Sequence, residues 1–479
     1  MGLGLLTLGS PGQQGERRMR HVAVIDIGKT NAKVLAIDLA TGQETHVRKT
    51  PNRVVVTAPY PHFDAEGLWR FLLESLRTLA TEIPVDAISI TTHGACAALV
   101  DSAGDLALPI LDYEGAGPGT LPAYAALRPP FAETGSPRLP QGLNLGAQIY
   151  WQAQTFPAAF SRTKHILTYP QYWAYRLTGV ALSEVTSLGC HTDLWNPWDG
   201  QFSTLVAKMG WTRLFPPVQP ASVAFALKPE LAKALGLPQG LKVHSGIHDS
   251  NASLLPYLGG AAAFSVISTG TWMIHMAVGG PAVDLDPMRD VLVNVNARGT
   301  PTPTARYMGG REFDELTGGR IAKPTLADRR AVLAGVMILP SRHPDTGPFP
   351  GLHLTWTAEP ATDGARTLAA SYYAALMAAE CLDLIGAQGP IHVEGPFGGN
   401  DDFAQMLAAV TGRAVVASGQ SAGTGLGAAL LAGPLTAAKA PARVVQPGSN
   451  MALDLYAGKW RAKVATLWAA RQAQLPQAR

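Results

Sequence analysis

Residues 22 to 38 read Val22-Ala-Val-Ile-Asp26-Ile-Gly28-Lys29-Thr30-Asn31-Ala-Lys33-Val-Leu-Ala-Ile-Asp38, two apolar runs separated by a short polar turn. This pattern predicts a β-hairpin with buried strands. A carboxylate at the end of a buried strand, followed by glycine and by hydroxyl or amide side chains, suits a magnesium–phosphate complex. Asp26 would face the hydrated metal, and the backbone N–H groups of Gly28 to Asn31 would face phosphate oxygens. The alternative is a plain hairpin with a polar turn, since short motifs produce false positives.

A second hairpin of the same kind is predicted about half a chain later. It reads Ala262-Ala-Phe-Ser-Val-Ile267-Ser-Thr269-Gly270-Thr271-Trp-Met-Ile-His-Met-Ala-Val278-Gly-Gly280. Internal self-similarity of this kind indicates two related domains. Each domain would offer a Gly/Thr turn, so that the two turns grip the phosphates of one nucleotide from opposite sides.

The order of these elements resembles the actin-like ATPases and sugar kinases, and more narrowly the FGGY family of carbohydrate kinases. The resemblance covers about residues 19 to 450 and implies an α/β fold of two actin-like (ribonuclease H-like) domains with a cleft between them. We expect an N-terminal domain over 19–258, a nucleotide-binding C-terminal domain over 259–450 and a C-terminal tail over 451–479. Within these domains the sequence also predicts a capped amphipathic helix at Phe63-Asp-Ala-Glu66 and the residues after it, and a helix from Asp401 to Thr411. Residues 1–18 are expected to be a disordered extension, with Met19 as an alternative start.

Composition agrees with a compact two-domain protein. The chain has 479 residues, of which 47% are hydrophobic and 15% charged, and its net charge is +3. The charge is too small and too dispersed to indicate nucleic-acid binding. Three separated cysteines, at 96, 190 and 381, suit a reducing cytoplasm better than a disulfide framework or a zinc site. No stretch reaches the roughly 18 apolar residues that a membrane span needs.

Four side chains in the first half are candidate sugar ligands. His93 follows the predicted strand Asp86 to Ile90, and Asp112, Tyr113 and Glu114 follow the apolar strand Leu108 to Leu111. In doubly wound sheets, ligands gather at the carboxyl ends of strands. The alternative for each residue is a solvated or capping side chain.

The strongest catalytic candidate is Asp249, in Val243-His-Ser-Gly246-Ile-His248-Asp249-Ser-Asn-Ala252. A short strand runs into a glycine turn, and the carboxylate lies where a helix is predicted to begin. Phosphoryl transfer to a sugar hydroxyl requires one base and groups that neutralise the phosphates. A simple helix cap is the alternative. An FGGY kinase carries its catalytic aspartate here, so the resemblance implies that Asp249 is the base and helps to bind the metal. His248 and Asp249 are also candidate sugar ligands, and the His248-Asp249 pair is more similar to that of deoxyketose kinases, such as L-rhamnulokinase and L-fuculokinase, than to that of glycerol or xylulose kinases.

The nucleotide loop is predicted in Pro390-Ile-His-Val393-Glu394-Gly395-Pro-Phe-Gly398-Gly399-Asn400. Glycine lets a backbone approach adenine or ribose closely, and the resemblance places Gly395, Gly398, Gly399 and Asn400 on the adenosine side. Three departures from the family pattern stand out. Pro396 and Phe397 replace glycines, Gln148 replaces a common lysine, and Lys29 replaces a small hydroxyl residue. Lys29 is expected either to contact phosphate directly or to point to solvent.

The sequence therefore predicts an ATP-dependent sugar kinase that uses Mg²⁺ and phosphorylates a primary hydroxyl of a ketose. Its partners would be a small-molecule sugar and neither nucleic acid nor membrane; a homodimer is one expectation, since dimers are common. Two alternatives stay open at this point. One is an actin-like ATPase acting on a macromolecule, and the other is a non-catalytic sugar sensor on the same scaffold.

Overall fold

The computed structural model describes residues 20–115, 117–120, 122–260, 262–418, 423–436, 442–448 and 450–474. The predicted N-terminal extension lies outside the described residues. Within the described ranges, no helix is both long enough and apolar enough to cross a membrane.

The first predicted hairpin forms and lies at the centre of a seven-stranded sheet. Strand β1 (His21–Ile27) pairs antiparallel with β2 (Asn31–Asp38), and Asp26 lies opposite Lys33. The strands that follow are β3 (Gln43–Pro51), β4 (Val54–Val55), β5 (His62–Phe63), β6 (Ala87–Thr92), β7 (Ala97–Asp101), β8 (Leu106–Leu108), β9 (Thr163–Thr168), β10 (Trp195–Asn196), β11 (Gln201–Phe202), β12 (Ala224–Ala226), β13 (Lys242–His244) and β14 (Ile247–His248). The sheet order is β12-β13-β6-β1-β2-β3, and β14 also pairs with β6.

The second predicted hairpin forms the centre of an equivalent sheet. Its strands are β15 (Phe264–Thr269), β16 (Met273–Val278), β17 (Val291–Val295), β18 (Pro301–Tyr307), β21 (Ile391–Glu394), β22 (Val415–Ala417) and β23 (Arg443–Val445), while β19 (Ile338–Leu339) and β20 (Thr355–Trp356) form a separate pair. The order is β17-β18-β16-β15-β21-β22-β23. In both sheets, the first hairpin strand pairs antiparallel with its hairpin partner on one side and parallel with a later strand on the other. This shared arrangement confirms the predicted α/β fold with two actin-like domains.

Helices cover the faces of both sheets. They are α1 (Ala65–Glu82), α2 (Pro122–Leu127), α3 (Phe131–Thr134), α4 (Leu145–Thr155), α5 (Pro157–Phe160), α6 (Tyr169–Thr178), α7 (Val185–Leu188), α8 (Thr204–Lys208), α9 (Pro229–Leu235), α10 (Asp249–Leu254), α11 (Gly309–Thr317), α12 (Leu326–Gly335), α13 (Asp363–Leu384), α14 (Asp401–Thr411), α15 (Gly423–Ala429) and α16 (Met451–Ala473). The predicted cap of α1 is present, because the side chain of Asp64 accepts a hydrogen bond from the Gly67 N–H at 2.8 Å. Helix α14 has the limits that the sequence predicts.

Helix α16, for which the sequence suggested no role, packs on the second domain. Tyr456 and Trp460 are buried in the same core as α13 and α14. The Trp460 indole N–H donates to the Ile338 carbonyl at 2.7 Å, and the Tyr456 hydroxyl donates to the Val336 carbonyl at 3.0 Å. The segment is therefore an integral part of the second core.

Helix α15 follows β22 of the second sheet but packs against the first sheet. Ala428 and Ala429 are buried with Val22, Val24 and other residues of β1 and β2. Close approach is required here, because a methyl group on Gly427 would lie 1.7 Å from the Ala252 carbonyl oxygen of α10. Helix α15 thus carries the chain back from the second sheet to the first domain.

We predict that Gly427→Ala lowers the free energy of unfolding by about 1–3 kcal/mol or more, because the added methyl group overpacks the α15–α10 contact. Gly458→Ala is the matched control, since Gly458 lies in α16 and a methyl group added there would have nothing within 4 Å. That control should be neutral or stabilise by up to about 1 kcal/mol. Chemical denaturation of the two variants measures the difference, and equal midpoints would contradict the packing described for α15.

Candidate active site

Three neighbouring parallel strands bring the predicted catalytic residues to one edge of the first sheet. Strand β6 lies between β1 and β14, with Asp26 and Ile247 both opposite Thr91 on their respective sides. His93 follows β6 directly, and His248-Asp249 ends β14 and begins α10. The sheet register thereby places Asp26, His93 and Asp249 together at adjacent strand ends.

Asp249 lies in the cleft with part of its carboxylate accessible. Its side chain is 32% exposed, and Oδ1 accepts hydrogen bonds from the Ser250 backbone N–H at 2.6 Å and from the Ser250 hydroxyl at 3.3 Å. Burial raises the pKa of this carboxyl, and the nearby His93 and the Ser250 hydrogen bonds oppose the shift. Asp249 is the first residue of α10 and its side chain contacts the adjacent serine. The helix-cap alternative therefore does not describe this position, because His248 occupies the cap.

Asp26 is buried beside two donors from different parts of the chain. The Thr424 hydroxyl of α15 donates to Asp26 Oδ2 at 2.9 Å, and the Lys33 ammonium lies 3.7 Å from the same oxygen. Burial raises the pKa of the Asp26 carboxyl. Lys33 and Thr424 lower this pKa, and the negative charge of Asp249 raises it further. The two carboxylates therefore repel each other, which is the environment that a bound divalent cation relieves.

His93 and His248 are neutral imidazoles in this environment. Burial lowers the pKa of each to about 4. His248 Nε2 lies 3.3 Å from Asp249 Oδ1, and His93 Nδ1 lies 2.8 Å from the Gly94 carbonyl oxygen. Within the described part of the chain, His93 Nε2 and His248 Nδ1 are buried without a hydrogen-bond partner. The hydrogen-bonding capacity of these two nitrogens is therefore not used within the described residues.

A cavity of about 1090 Å³ extends from this edge between the two domains. Its first-domain wall includes His93, Tyr113, Glu114, His248 and Asp249. Four of the predicted sugar ligands and the predicted base therefore share one cavity. Asp112, the other predicted sugar ligand, is buried and does not line the cavity within the described residues.

Lys29 adopts neither of its two expected positions. Its ammonium forms an ion pair with Asp112 Oδ1 and lies 3.4 Å from Glu114 Oε2. It also lies 4.7 Å from the Tyr113 ring centre and 5.0 Å from that of Phe63. The side chain points toward the predicted sugar ligands because their carboxylates and aromatic faces surround the ammonium. This placement differs from the predicted phosphate contact.

The first predicted phosphate turn is closed by a hydrogen bond of its own. The Gly28 N–H donates to the Asn31 carbonyl at 2.9 Å, so this group is already used within the turn. Asn52, which lies outside the turn, stabilises it with two hydrogen bonds. Its side-chain amide donates to the Gly28 carbonyl at 2.9 Å, and its backbone N–H donates to the Thr30 carbonyl at 3.0 Å. Thr30 is exposed, and phosphate binding by Thr30 and Asn31 stays a prediction.

The second turn has the same construction and contacts the nucleotide loop. The Gly270 N–H donates to the Trp272 carbonyl at 3.0 Å, and Thr271 is exposed. The Thr269 hydroxyl, in contrast, donates to the Glu394 carbonyl and accepts from the Phe397 N–H at 3.2 Å. Thr269 therefore joins the turn to the loop instead of pointing at a phosphate position.

The predicted nucleotide loop begins at a position that only glycine fits. Gly395 has φ of 82°, and a methyl group there would lie 2.2 Å from the Thr269 carbonyl oxygen. The Phe397 ring packs into the second core against Phe313 and Phe403. The Asn400 side chain accepts from the Phe403 N–H at 3.0 Å as the cap of α14. Gly398 and Gly399 remain the predicted adenosine contacts, whereas the side chain of Asn400 is engaged within the protein.

Sequence reasoning missed several residues that shape the site. The Thr186 hydroxyl accepts from the His248 N–H at 3.1 Å and donates to the buried Glu184 at 2.5 Å, which supports the backbone next to Asp249. Burial raises the pKa of Glu184 to about 7. Gln148, a departure from the family pattern, donates to the Ala95 carbonyl at 2.6 Å. The cavity is also lined by Cys190 and His191 of the first domain, by Trp272 and Arg306 of the second, and by Trp468 and Arg471 of α16.

Comparisons with known proteins agree on one family. Residues 261–441 match the model described as Carbohydrate kinase FGGY, C-terminal domain. The crystal structure of a carbohydrate kinase from Novosphingobium aromaticivorans is similar with a TM-score of 0.85 and 39% identity, covering 94% of this chain and 99% of that one. The chain belongs to the FGGY family of carbohydrate kinases.

More distant similarity is found to kinases of named sugars. L-fuculokinase from Salmonella typhi is 27% identical over 276 residues, which are 54% of this chain and 57% of the relative. Rhamnulokinase from Pectobacterium atrosepticum is 26% identical over 217 residues, 42% of each protein. These alignments span about half the length of the curated relatives.

We predict that His248→Gln makes stability less sensitive to acid. The pKa of His248 is about 4 in the folded state against an ordinary value of 6.5, so the unfolded chain takes up this proton first. Above pH 6.5 the His248 imidazole is neutral in both states and does not lower the free energy of unfolding. As the pH falls from 6.5 toward 4, protonation of the unfolded chain lowers that free energy. Removing this one titratable group should reduce the slope of the unfolding free energy against pH by up to about 1.4 kcal/mol per pH unit. Urea titrations between pH 7 and 4.5, with exposed His353→Gln as control, measure the slope; an unchanged slope for His248→Gln would argue against a neutral buried imidazole.

Proposed function

We propose that this protein transfers the γ-phosphate of ATP to a primary hydroxyl of a ketose, with Asp249 as the general base. The observation that carries the proposal is the position of Asp249, which lies at the strand edge beside Asp26 and inside the cavity that His93, Tyr113 and Glu114 also line. Transfer of a phosphoryl group needs positioning, charge neutralisation and one base. Asp249 would supply the base, the cavity side chains would position the sugar, and a cation held by the two aspartates would neutralise the phosphates.

Asp249 is suited to accept the proton of the attacking hydroxyl. A general base works best when its pKa approaches the working pH, and burial raises the pKa of Asp249 from its ordinary value. Ser250 orients Oδ1, and His248 and His93 place neutral polar nitrogens beside it. A sugar held by His93, Tyr113 and Glu114 would present its hydroxyl to the exposed part of this carboxylate. Closure of the cleft would then keep water away from the phosphate.

The residues around Asp26 fit a magnesium–ATP complex. Magnesium in such sites is bound by one or two carboxylates together with substrate phosphates and water, so no larger ligand cluster is required. Asp26 and Asp249 supply two carboxylates whose mutual repulsion a cation would relieve. When bound, Mg²⁺ neutralises phosphate charge and orients the transferred group. The turns at Thr30 and Thr271 would contact phosphates, and Gly395, Gly398 and Gly399 would border the adenosine.

The acceptor that we propose is a deoxyketose of the L-fuculose or L-rhamnulose type. The names of the relatives support this choice, as does the His248-Asp249 pair. Among the two alternatives, an actin-like ATPase would leave the sugar-side cavity without a purpose, and a sugar sensor would not need Asp26 and Asp249 side by side. A homodimer and a cytoplasmic location stay predictions.

We predict that Asp249→Asn lowers sugar-dependent ADP release from Mg-ATP by about 10²–10⁴-fold, because the amide cannot accept the hydroxyl proton. L-fuculose and L-rhamnulose are the first acceptors to assay. The control Asp454→Asn replaces an exposed aspartate of α16 and should retain full activity. Near wild-type turnover by folded Asp249→Asn would remove it from the role of base, and sugar-independent release by the wild type would favour the ATPase alternative.

We predict that Thr424→Val moves the acid limb of the pH–rate profile to higher pH. The Thr424 hydroxyl stabilises the charged form of Asp26, so its loss raises the Asp26 pKa further and leaves less ionised carboxylate at a given pH. Thr424→Ser keeps the hydroxyl and should keep the wild-type profile. Profiles of kcat/KM from pH 5 to 8 test this, and identical limbs for valine and wild type would show that Asp26 ionisation does not limit the reaction.

A further inference from the structure

Lys29 joins two regions of the site that the sequence treats as separate. Its backbone belongs to the phosphate turn between β1 and β2, whereas its ammonium contacts Asp112, Glu114 and the Tyr113 ring on the sugar side. The Lys29 side chain thus extends from the proposed nucleotide half of the cleft to the proposed sugar half. A single side chain therefore spans both.

The backbone end of Lys29 is held firmly. The carbonyl groups on either side of it, those of Gly28 and Thr30, both accept hydrogen bonds from Asn52, at 2.9 and 3.0 Å. The Gly28 N–H closes the turn onto Asn31. These hydrogen bonds fix the backbone position from which the Lys29 side chain extends.

The ammonium end holds the cavity wall. Asp112 is buried and its carboxylate pairs with Lys29, so removal of the lysine would leave a buried charge without a cation. Glu114 is more exposed, and its carboxylate at 3.4 Å from the ammonium faces the cavity together with Tyr113. The Tyr113 ring, 4.7 Å from the ammonium, also contacts the His93 ring at 5.7 Å. Lys29 thus fixes two of the side chains that would meet sugar hydroxyls.

We infer that Lys29 is a positioning residue that fastens the sugar-binding wall of Tyr113 and Glu114 to the phosphate turn, so that sugar and nucleotide strengthen each other's binding. This inference rests on the proposed function, because it takes the cavity as the sugar site. A carboxylate held beside an ammonium accepts hydrogen bonds from sugar hydroxyls in a fixed direction. Because the same residue forms the turn, occupancy of one site orders the other, and the coupling is reciprocal.

The same geometry argues against Lys29 as a direct phosphate ligand. To reach a phosphate, the ammonium would leave Asp112 buried and unpaired and would give up both aromatic contacts. Lys33, by contrast, already lies 3.7 Å from Asp26 and is the cation nearer the predicted metal position.

Calorimetric titration of L-fuculose and L-rhamnulose into wild type and Lys29→Met, each with and without the non-hydrolysable Mg-AMP-PNP, tests the inference. We expect the nucleotide to tighten sugar binding by the wild type. Lys29→Met should bind sugar about tenfold or more weakly and should lose the enhancement, while its affinity for Mg-AMP-PNP alone changes little. Lys164→Met, an exposed lysine on β9, is the matched control. Lys29→Arg keeps the charge and should recover part of the enhancement.

The unpaired Asp112 in Lys29→Met could itself unfold the wall, so the double variant Lys29→Met/Asp112→Asn is measured as well. It removes both charges and should still lack the enhancement. A variant that loses nucleotide affinity but keeps sugar affinity would overturn the inference in favour of phosphate binding. Unchanged enhancement in both variants would overturn it also, whereas sugar-dependent ADP release by the wild type would show that the proposed function nevertheless stands. A wild type that binds neither sugar and releases no ADP would reject both.

Discussion

Parallel pairing of β1 and β14 on the two sides of β6 is the constraint on which the site depends. Carboxyl ends of parallel strands point to the same edge of a sheet, so residues distant in sequence meet there without any special contact between them. Asp26 and Ile247 are opposite the same residue, Thr91. From this register follow the mutual repulsion of Asp26 and Asp249, the burial of His93 and His248, and the opening of the cavity at the same place.

The second constraint is that each half of the chain completes the other. Thr424, in a helix that follows the second sheet, donates to Asp26 in the first strand of the chain. A contact of this kind couples movement of the second half of the chain to the position of the Asp26 carboxylate. Such coupling is expected of an enzyme that closes around its substrates.

The sequence predicted those structural features that depend on residues close together in the chain. Both hairpins, the Asp64 cap of α1, the limits of α14 and the glycine at 395 were recognisable because each depends on residues within a few positions. The Thr424–Asp26 hydrogen bond joins residues 398 positions apart, and no period or motif in the sequence indicates it. The direction of a long side chain is equally hidden, and therefore Lys29 was expected at the phosphates or in solvent, although its ammonium lies with Asp112. Asn400 was assigned to adenosine because the loop pattern matched, whereas its side chain caps α14.

Our central proposal is that one cleft holds the sugar hydroxyl, the γ-phosphate and the two aspartates in line. A crystal structure with Mg-AMP-PNP and L-fuculose or L-rhamnulose tests it most directly. We expect a primary sugar hydroxyl within hydrogen-bond distance of Asp249, with the γ-phosphate beyond it and the metal beside Asp26. A sugar bound away from Asp249, or a nucleotide whose phosphates do not approach Asp26, would contradict the proposal.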